Sequence, residues 1–149
     1  MQIFKVLCFS LCLLAVGHTY AEEHQIKMLS SLKGQSMVFE PPVIHIKPGD
    51  TVKWLKTNPG HNTVSINEMI PEGAEGWSGG MNEEVVIKFE KEGVYGYKCT
   101  PHYILGMVGL VVVGSSSSNL DVAKSFAIAE ESKFAMNKDR FSDYFSKVK

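Results

Sequence analysis

Between residues 24 and 113 the chain alternates short β-favouring runs with turn chemistry, and this repeated interruption is what most narrows its possible folds. The runs are His24 to Leu29, Met37 to Glu40, Val43 to Lys47, Thr51 to Lys56, Asn62 to Ile66, Glu84 to Phe89, Val94 to Lys98 and Met107 to Val113. Pro41-Pro42, Pro48-Gly49-Asp50 and Asn58-Pro59-Gly60 stand between them. Proline withholds a ladder donor and glycine favours turns, so one run cannot continue into the next. Segments this short and this regularly spaced must close on one another as a sandwich or barrel. Lys91-Glu92-Gly93 reads as a hairpin turn joining the two runs beside it, and residues 67–83 are glycine-rich and irregular, with Trp77 inside them.

After Gly114 and the Ser115 to Ser118 run the texture becomes helix-favouring. Asn119 or Ser118 stands where a cap is needed for a first helix that turns Leu120, Ala123, Phe126 and Ala127 inward. A second helix from about Ala129 would bury Phe134, Phe141, Tyr144, Phe145 and Val148. The expectation is therefore one all-β domain over 22–149, a β-sandwich at 22–114 followed by a tail of two short α-helices at 119–148 that pads it.

Residues 1–21 read as a secretory signal: Lys5, the apolar run Val6 to Val16, then Thr19-Tyr20-Ala21 with small residues, Thr19 and Ala21, at the two positions a signal peptidase inspects. The run is short for a bilayer span, and Phe9-Ser10-Leu11 ahead of Cys12 lacks the small residues of a lipid-modified cysteine, so no membrane anchor is expected. Cleavage after Ala21 would carry off Cys8 and Cys12 and leave Cys99 as the one thiol, ruling out an internal disulfide. A lone thiol in an oxidising compartment invites a specific explanation. The formal charge of −1 gives no support to nucleic-acid binding.

That explanation lies in Cys99-Thr100-Pro101-His102-Tyr103-Ile104-Leu105-Gly106-Met107, which places thiolate, imidazole and thioether on one loop between two expected strands. His61, in Gly60-His61-Asn62, lies on another loop that a sandwich can bring to the same end. Singly, each residue is ordinary: a loop histidine, a core methionine, a buried thiol. Together they are a donor set for copper, because Cu(I) favours soft sulfur and Cu(II) favours nitrogen, so two imidazoles, a thiolate and a weak thioether suit both states. The same cysteine and histidines also suit zinc. A copper chaperone or storage protein is the alternative to an electron carrier, although such proteins usually present methionine-rich exchange sites. An enzyme would need an open coordination position, which four ligands on one ion do not leave. His45 falls on an expected strand without a partner. His24 would become third in the processed chain, after Glu22 and Glu23, where an amine, two amides and an imidazole can enclose Cu(II) in a square plane as an adventitious second site.

The chain resembles the cupredoxins and, within them, the pseudoazurin group. The likeness runs through Met37-Val38-Phe39-Glu40-Pro41, Pro48-Gly49-Asp50-Thr51-Val52, Gly60-His61-Asn62, Met69-Ile70-Pro71-Glu72-Gly73-Ala74-Glu75, Asn82-Glu83, Lys98-Cys99-Thr100-Pro101-His102-Tyr103, Gly106-Met107 and Asn119-Leu120-Asp121. The resemblance implies an eight-stranded Greek-key sandwich and one type 1 copper ion on His61, Cys99, His102 and Met107, the last as a long axial ligand. Asn62 would tie its loop to Thr100 and support the Cys99 sulfur, and Met37 would lie near the solvent-edge histidine. The implied function is single-electron transfer by a monomer among periplasmic redox proteins, such as a copper-containing nitrite reductase or a c-type cytochrome, and not catalysis. Lysines that the group carries around its copper end are thinned here, with Lys33 and Lys56 remaining, so docking is expected to rely on an apolar rim of Pro59, Pro101, Tyr103, Ile104 and Leu105.

Overall fold

The computed structural model describes residues 20–148, so the signal segment read at 1–21 lies almost wholly outside it. All eight expected runs form strands: β1 Glu23–Leu32, β2 Gln35–Glu40, β3 Val43–Ile46, β4 Thr51–Leu55, β5 Val64–Ser65, β6 Val85–Lys88, β7 Gly93–Lys98 and β8 Val108–Val113. Two helices follow, α1 Leu120–Glu131 and α2 Arg140–Phe145. The strands make two four-stranded sheets, ordered β2-β1-β4-β6 and β3-β8-β7-β5, packed face to face as a Greek-key sandwich. Two parallel pairings, β1 with β4 and β3 with β8, stitch distant parts of the chain together.

Two details correct the sequence reading. Lys91-Glu92-Gly93 is not a hairpin turn: β6 pairs with β4 while β7 pairs with β5 and β8, so this segment carries the chain from one sheet to the other. Gly93, at φ 138°, takes the bend that the crossing demands. Nor does a helix start at Ala129, because α1 continues through Ala129-Glu130-Glu131, all good helix formers. The break comes at residues 132–139, where Asn137 adopts a left-handed φ of 52°. Asn119 does stand at the N-terminus of α1, but its side chain serves β7 instead, accepting from Val94 N–H and donating to Val94 O, both at 2.8 Å.

The core has two compartments. Between the sheets lie Ile26, Phe39, Trp54, Trp77, Tyr97 and Val111, with Cys99 and Met107 at one end. Outside the second sheet, Val94, Val108 and Leu110 meet Ala127, Phe134, Phe141 and Phe145 of the tail. β8 is thus covered on both faces, which explains its unbroken Val108-Gly-Leu-Val-Val-Val run in place of alternation. Its one glycine, Gly109, stands opposite Tyr97, and a Cβ there would come within 2.3 Å of the Tyr97 phenol.

At the end of the sandwich that holds the 47–50 turn, the Asp50 carboxylate is nearly buried and accepts from Glu22 N–H at 2.9 Å, His24 Nε2 at 2.9 Å and Lys47 N–H at 3.0 Å. The Glu22 N–H above all, then His24 and the Lys47 N–H, hold its pKa down to about 2. Since folding depresses this pKa, its stabilisation is full above the ordinary value of 3.8 and is lost as pH falls through about 2. Replacing Asp50 with Asn should therefore lower the unfolding midpoint at neutral pH, and the gap between variant and parent should close between about pH 4 and pH 2. Thermal melts across that range test it, and a gap of constant size would contradict it.

Candidate metal centre

Two loops at one end of the sandwich build the site. β7 and β8 are antiparallel neighbours with Lys98 opposite Val108, so the residues between them must turn back sharply. They do so through a 3-10 turn at Tyr103–Leu105, closed by Leu105 N–H to His102 O at 3.0 Å and Gly106 N–H to Tyr103 O at 2.8 Å. Gly106 at φ 73° reverses the chain, and Met107 is then tied on both sides: its N–H donates to His102 O at 3.1 Å and its carbonyl accepts from Cys99 N–H at 3.0 Å. Cysteine, histidine and methionine are thereby folded over one another.

His61 comes from the connection between β4 and β5, held at three points. Asn58 bridges to β1 with its N–H to Met28 O at 3.0 Å and its Oδ1 accepting from Ser30 N–H at 2.9 Å. Asn82 accepts from Gly60 N–H at 2.6 Å through Oδ1 and donates its own N–H to His61 O at 2.9 Å. Asn62 joins the two loops, as the resemblance implied: Oδ1 accepts from Thr100 N–H at 2.8 Å, and Nδ2 donates to Thr100 Oγ1 at 3.3 Å and Gly79 O at 3.2 Å.

The result is a triangle of donor atoms. His61 Nδ1 lies 3.1 Å from His102 Nδ1, and the Cys99 sulfur lies 3.7 Å and 3.5 Å from the two nitrogens. The point equidistant from all three is about 2 Å from each, an ordinary metal–nitrogen distance and a little short for sulfur. Cys99 and Met107 are fully buried, His61 is 1% exposed and His102 is half-buried. Burial pushes the Cys99 thiol up, against a pull from the Asn62 and His102 backbone N–H groups, while burial and then the neighbouring His102 pull His61 down. A neutral His61 ring and a thiol therefore face the His102 Nδ1, and a cation in the triangle would draw off the thiol proton and be met by all three donor atoms. The donor set fits a copper ion: soft sulfur and imidazole nitrogen, closed on three sides.

His61 Nδ1 faces inward because its other nitrogen is engaged, with Nε2 3.1 Å from Ser30 Oγ. The sequence marks Asn58 only as a turn residue and Asn82 only as part of a family motif, and it does not mark Ser30 at all, since the struts depend on distant strands meeting and no spacing announces them. Among the described residues the other histidines, His24 and His45, stay apart. His45 is exposed on β3 with Nε2 against Lys147 O. His24 pairs with Asp50 inside β1, where Glu23 and His24 sit opposite Thr51 and Val52, so a square-planar site there would require unpairing the strand. Tyr103 turns away from the expected apolar rim, to which Leu105 contributes only in part. The Tyr103 ring packs edge-on against Phe134 with centroids 5.4 Å apart, its hydroxyl donates to Glu130, and Leu105 is half-buried. Pro59, Pro101 and Ile104 are exposed, joined by Met81 and Met136.

Comparison with known proteins places this geometry. Residues 26–114 match the model of copper-binding proteins of the plastocyanin/azurin family. A pseudoazurin from Methylorubrum extorquens is 47% identical over 129 residues, covering 84% of this chain and 87% of that protein. One from Paracoccus pantotrophus is 38% identical over 118 residues, covering 79% and 81%. Among solved structures, the pseudoazurin of Methylobacterium extorquens AM1 superposes with a TM-score of 0.75 at 43% identity, over 85% of this chain and 99% of its own.

Removing the Ser30 hydroxyl should free the His61 ring without unfolding the chain. Ser30→Ala is expected to lower metal affinity by about tenfold to a hundredfold, measured by competition with a chelator; unchanged affinity with native circular dichroism would contradict the role given to Ser30.

Proposed function

Because the chain belongs to the plastocyanin/azurin family of copper-binding proteins and, within it, to the pseudoazurins, we propose that it is a type 1 blue-copper carrier of single electrons whose one copper ion is held by His61, Cys99, His102 and Met107. The observation that carries this reading is the buried triangle of two imidazole nitrogens and one thiol sulfur. A copper ion bound there supplies one-electron redox chemistry, and the mixed donor set suits both of its oxidation states.

The chain's own residues do the rest. The Asn62–Thr100 tie, the Asn82 strut and the closed 103–106 turn fix the donors before any ion arrives, so a change of oxidation state meets a cage with little freedom to relax. Cys99, Met107 and His61 keep water out, while the half-buried His102 is the donor nearest solvent and the natural edge for electron entry and exit. Three enclosed donors favour retention of an ion, which supports a carrier over a chaperone that must release it.

A partner meets Pro59, Met81, Pro101, Ile104 and Met136, a largely apolar surface around that histidine. We assign the chain to the periplasm as a monomer, with residues 1–21 as a cleaved leader and redox proteins such as a copper nitrite reductase or a c-type cytochrome as partners. Among the described residues no helix is long and apolar enough to cross a membrane.

Copper-loaded protein oxidised with ferricyanide should be intensely coloured, and Cys99→Ser should lose the colour while keeping a native circular dichroism spectrum. A colourless parent, or a variant equally coloured, would overturn the assignment. With an apolar rim, the rate constant for association with a redox partner should fall by less than about tenfold between low and physiological salt, whereas strongly steered pairs change by tenfold to a thousandfold. Stopped-flow measurements at several ionic strengths decide this.

A further inference from the structure

Each of the four residues between His102 and Met107 is gripped from outside by the helical tail. Tyr103 Oη donates to Glu130 Oε2 at 2.9 Å, Ile104 O accepts from Ala135 N–H at 2.7 Å, Leu105 O accepts from Asn137 Nδ2 at 2.7 Å, and Gly106 O accepts from Arg140 Nη1 at 2.8 Å. Padding a sandwich requires apolar contact and nothing more. A hydrogen bond to every residue of one loop is a different kind of arrangement.

Arg140 is the strongest member of the set. Its side chain is 6% exposed and has no carboxylate within ion-pair distance among the described residues. It is held by carbonyls alone, because beyond Gly106 O its guanidinium reaches Met37 O at 2.6 Å and Ser36 O at 3.1 Å. One planar fork thus bolts the ligand loop to β2. Burying an arginine without a counter-charge is costly, so the three carbonyls must be placed to receive it. Met37 is itself in a left-handed conformation, φ 53°, which non-glycine residues adopt at some cost, and its side chain packs on the cluster that contains Cys99 and Met107. The tail has a firm footing from which to hold this position, since Phe134 packs between Tyr103 and Phe141 and both phenylalanines are fully buried.

We propose that the helical tail is the outer wall of the metal centre, with Arg140 and Asn137 as positioning residues that fix the 103–106 turn and so determine where the Met107 sulfur stands relative to His61, Cys99 and His102. The proposal rests on the copper assignment above. A thioether released from this grip would donate less to Cu(II), which raises the reduction potential and changes the visible and EPR spectra without removing any ligand.

The test uses Arg140→Gln and Asn137→Gly, with Lys138→Ala as an exposed control in the same segment. Glycine at 137 keeps the left-handed backbone of that position while deleting the amide that holds Leu105. In the metal-free protein, amide exchange at Leu105, Gly106 and Met107 should quicken by at least about tenfold in both variants, and in the copper-loaded protein the potential should rise and the spectrum shift, with one copper still bound. Lys138→Ala should change neither. Unchanged potential and spectrum in both variants would overturn the proposal even if exchange quickens, because the tail would then serve stability alone. If Arg140→Gln does not fold, Asn137→Gly decides the question. A parent without blue colour whose variants still show faster exchange would sink the copper assignment and leave the clamp standing.

Discussion

Two imidazole nitrogens and a sulfur held within 3.1–3.7 Å of one another, with only His102 reaching toward solvent, are what the remainder of the molecule has to secure. Polar atoms buried without good partners cost free energy, and facing lone pairs repel unless a cation or a proton lies between them. Left to themselves these side chains would turn toward solvent. They do not because both loops are fixed by bonds that do not involve the donor atoms: Asn62 to Thr100 across the loops, Asn82 behind His61, and the backbone bonds from Cys99 N–H to Met107 O and from Met107 N–H to His102 O. The sandwich supplies the fixed ends from which those loops start.

Much of this was written in the chain in readable form. Strand positions follow from proline and glycine placement, because turn chemistry is local, and the grouping of His61, Cys99 and His102 follows from residue type and spacing. The hairpin at Lys91-Glu92-Gly93 was misread because a turn signal says where a chain bends and not which sheet it enters next. Only the pairing of β6 with β4 and β7 with β8 decides that. The second helix was placed too early because aromatic spacing from Phe134 to Phe145 looks helical whether or not the backbone between them is. Phe134 is buried from the break between helices, not from a helix face.

The roles of Ser30, Asn82 and Arg140 are hidden for a different reason, even though Asn82 lies in a family motif. Each is a common polar residue whose importance comes from a contact across 22 to 104 positions of sequence. Periodicity reports which face of an element is apolar, so it marks Phe141 and Phe145 and passes over the arginine beside them. Yet the apolar residues make the arginine possible, since they bring α2 against β8 and leave Arg140 no route to water. Its burial lowers its pKa, as desolvation of a cation must, without providing a counter-charge.

The half-buried position of His102 follows from competing demands on one end of the sandwich. Enclosing all the donors would keep the site dry but lengthen the path to any partner, while exposing Cys99 would invite oxidation of the thiol. Placing the imidazole outermost resolves this, because a ring can bind inward through Nδ1 and still present its far edge at the surface. The same placement explains why the neighbouring surface is apolar. Pro101 and Ile104 flank the histidine, so on the proposed reading a partner that covered them would remove water from the ring edge as it docked, and the residues that exclude solvent from the centre in the free protein would continue to do so in the complex.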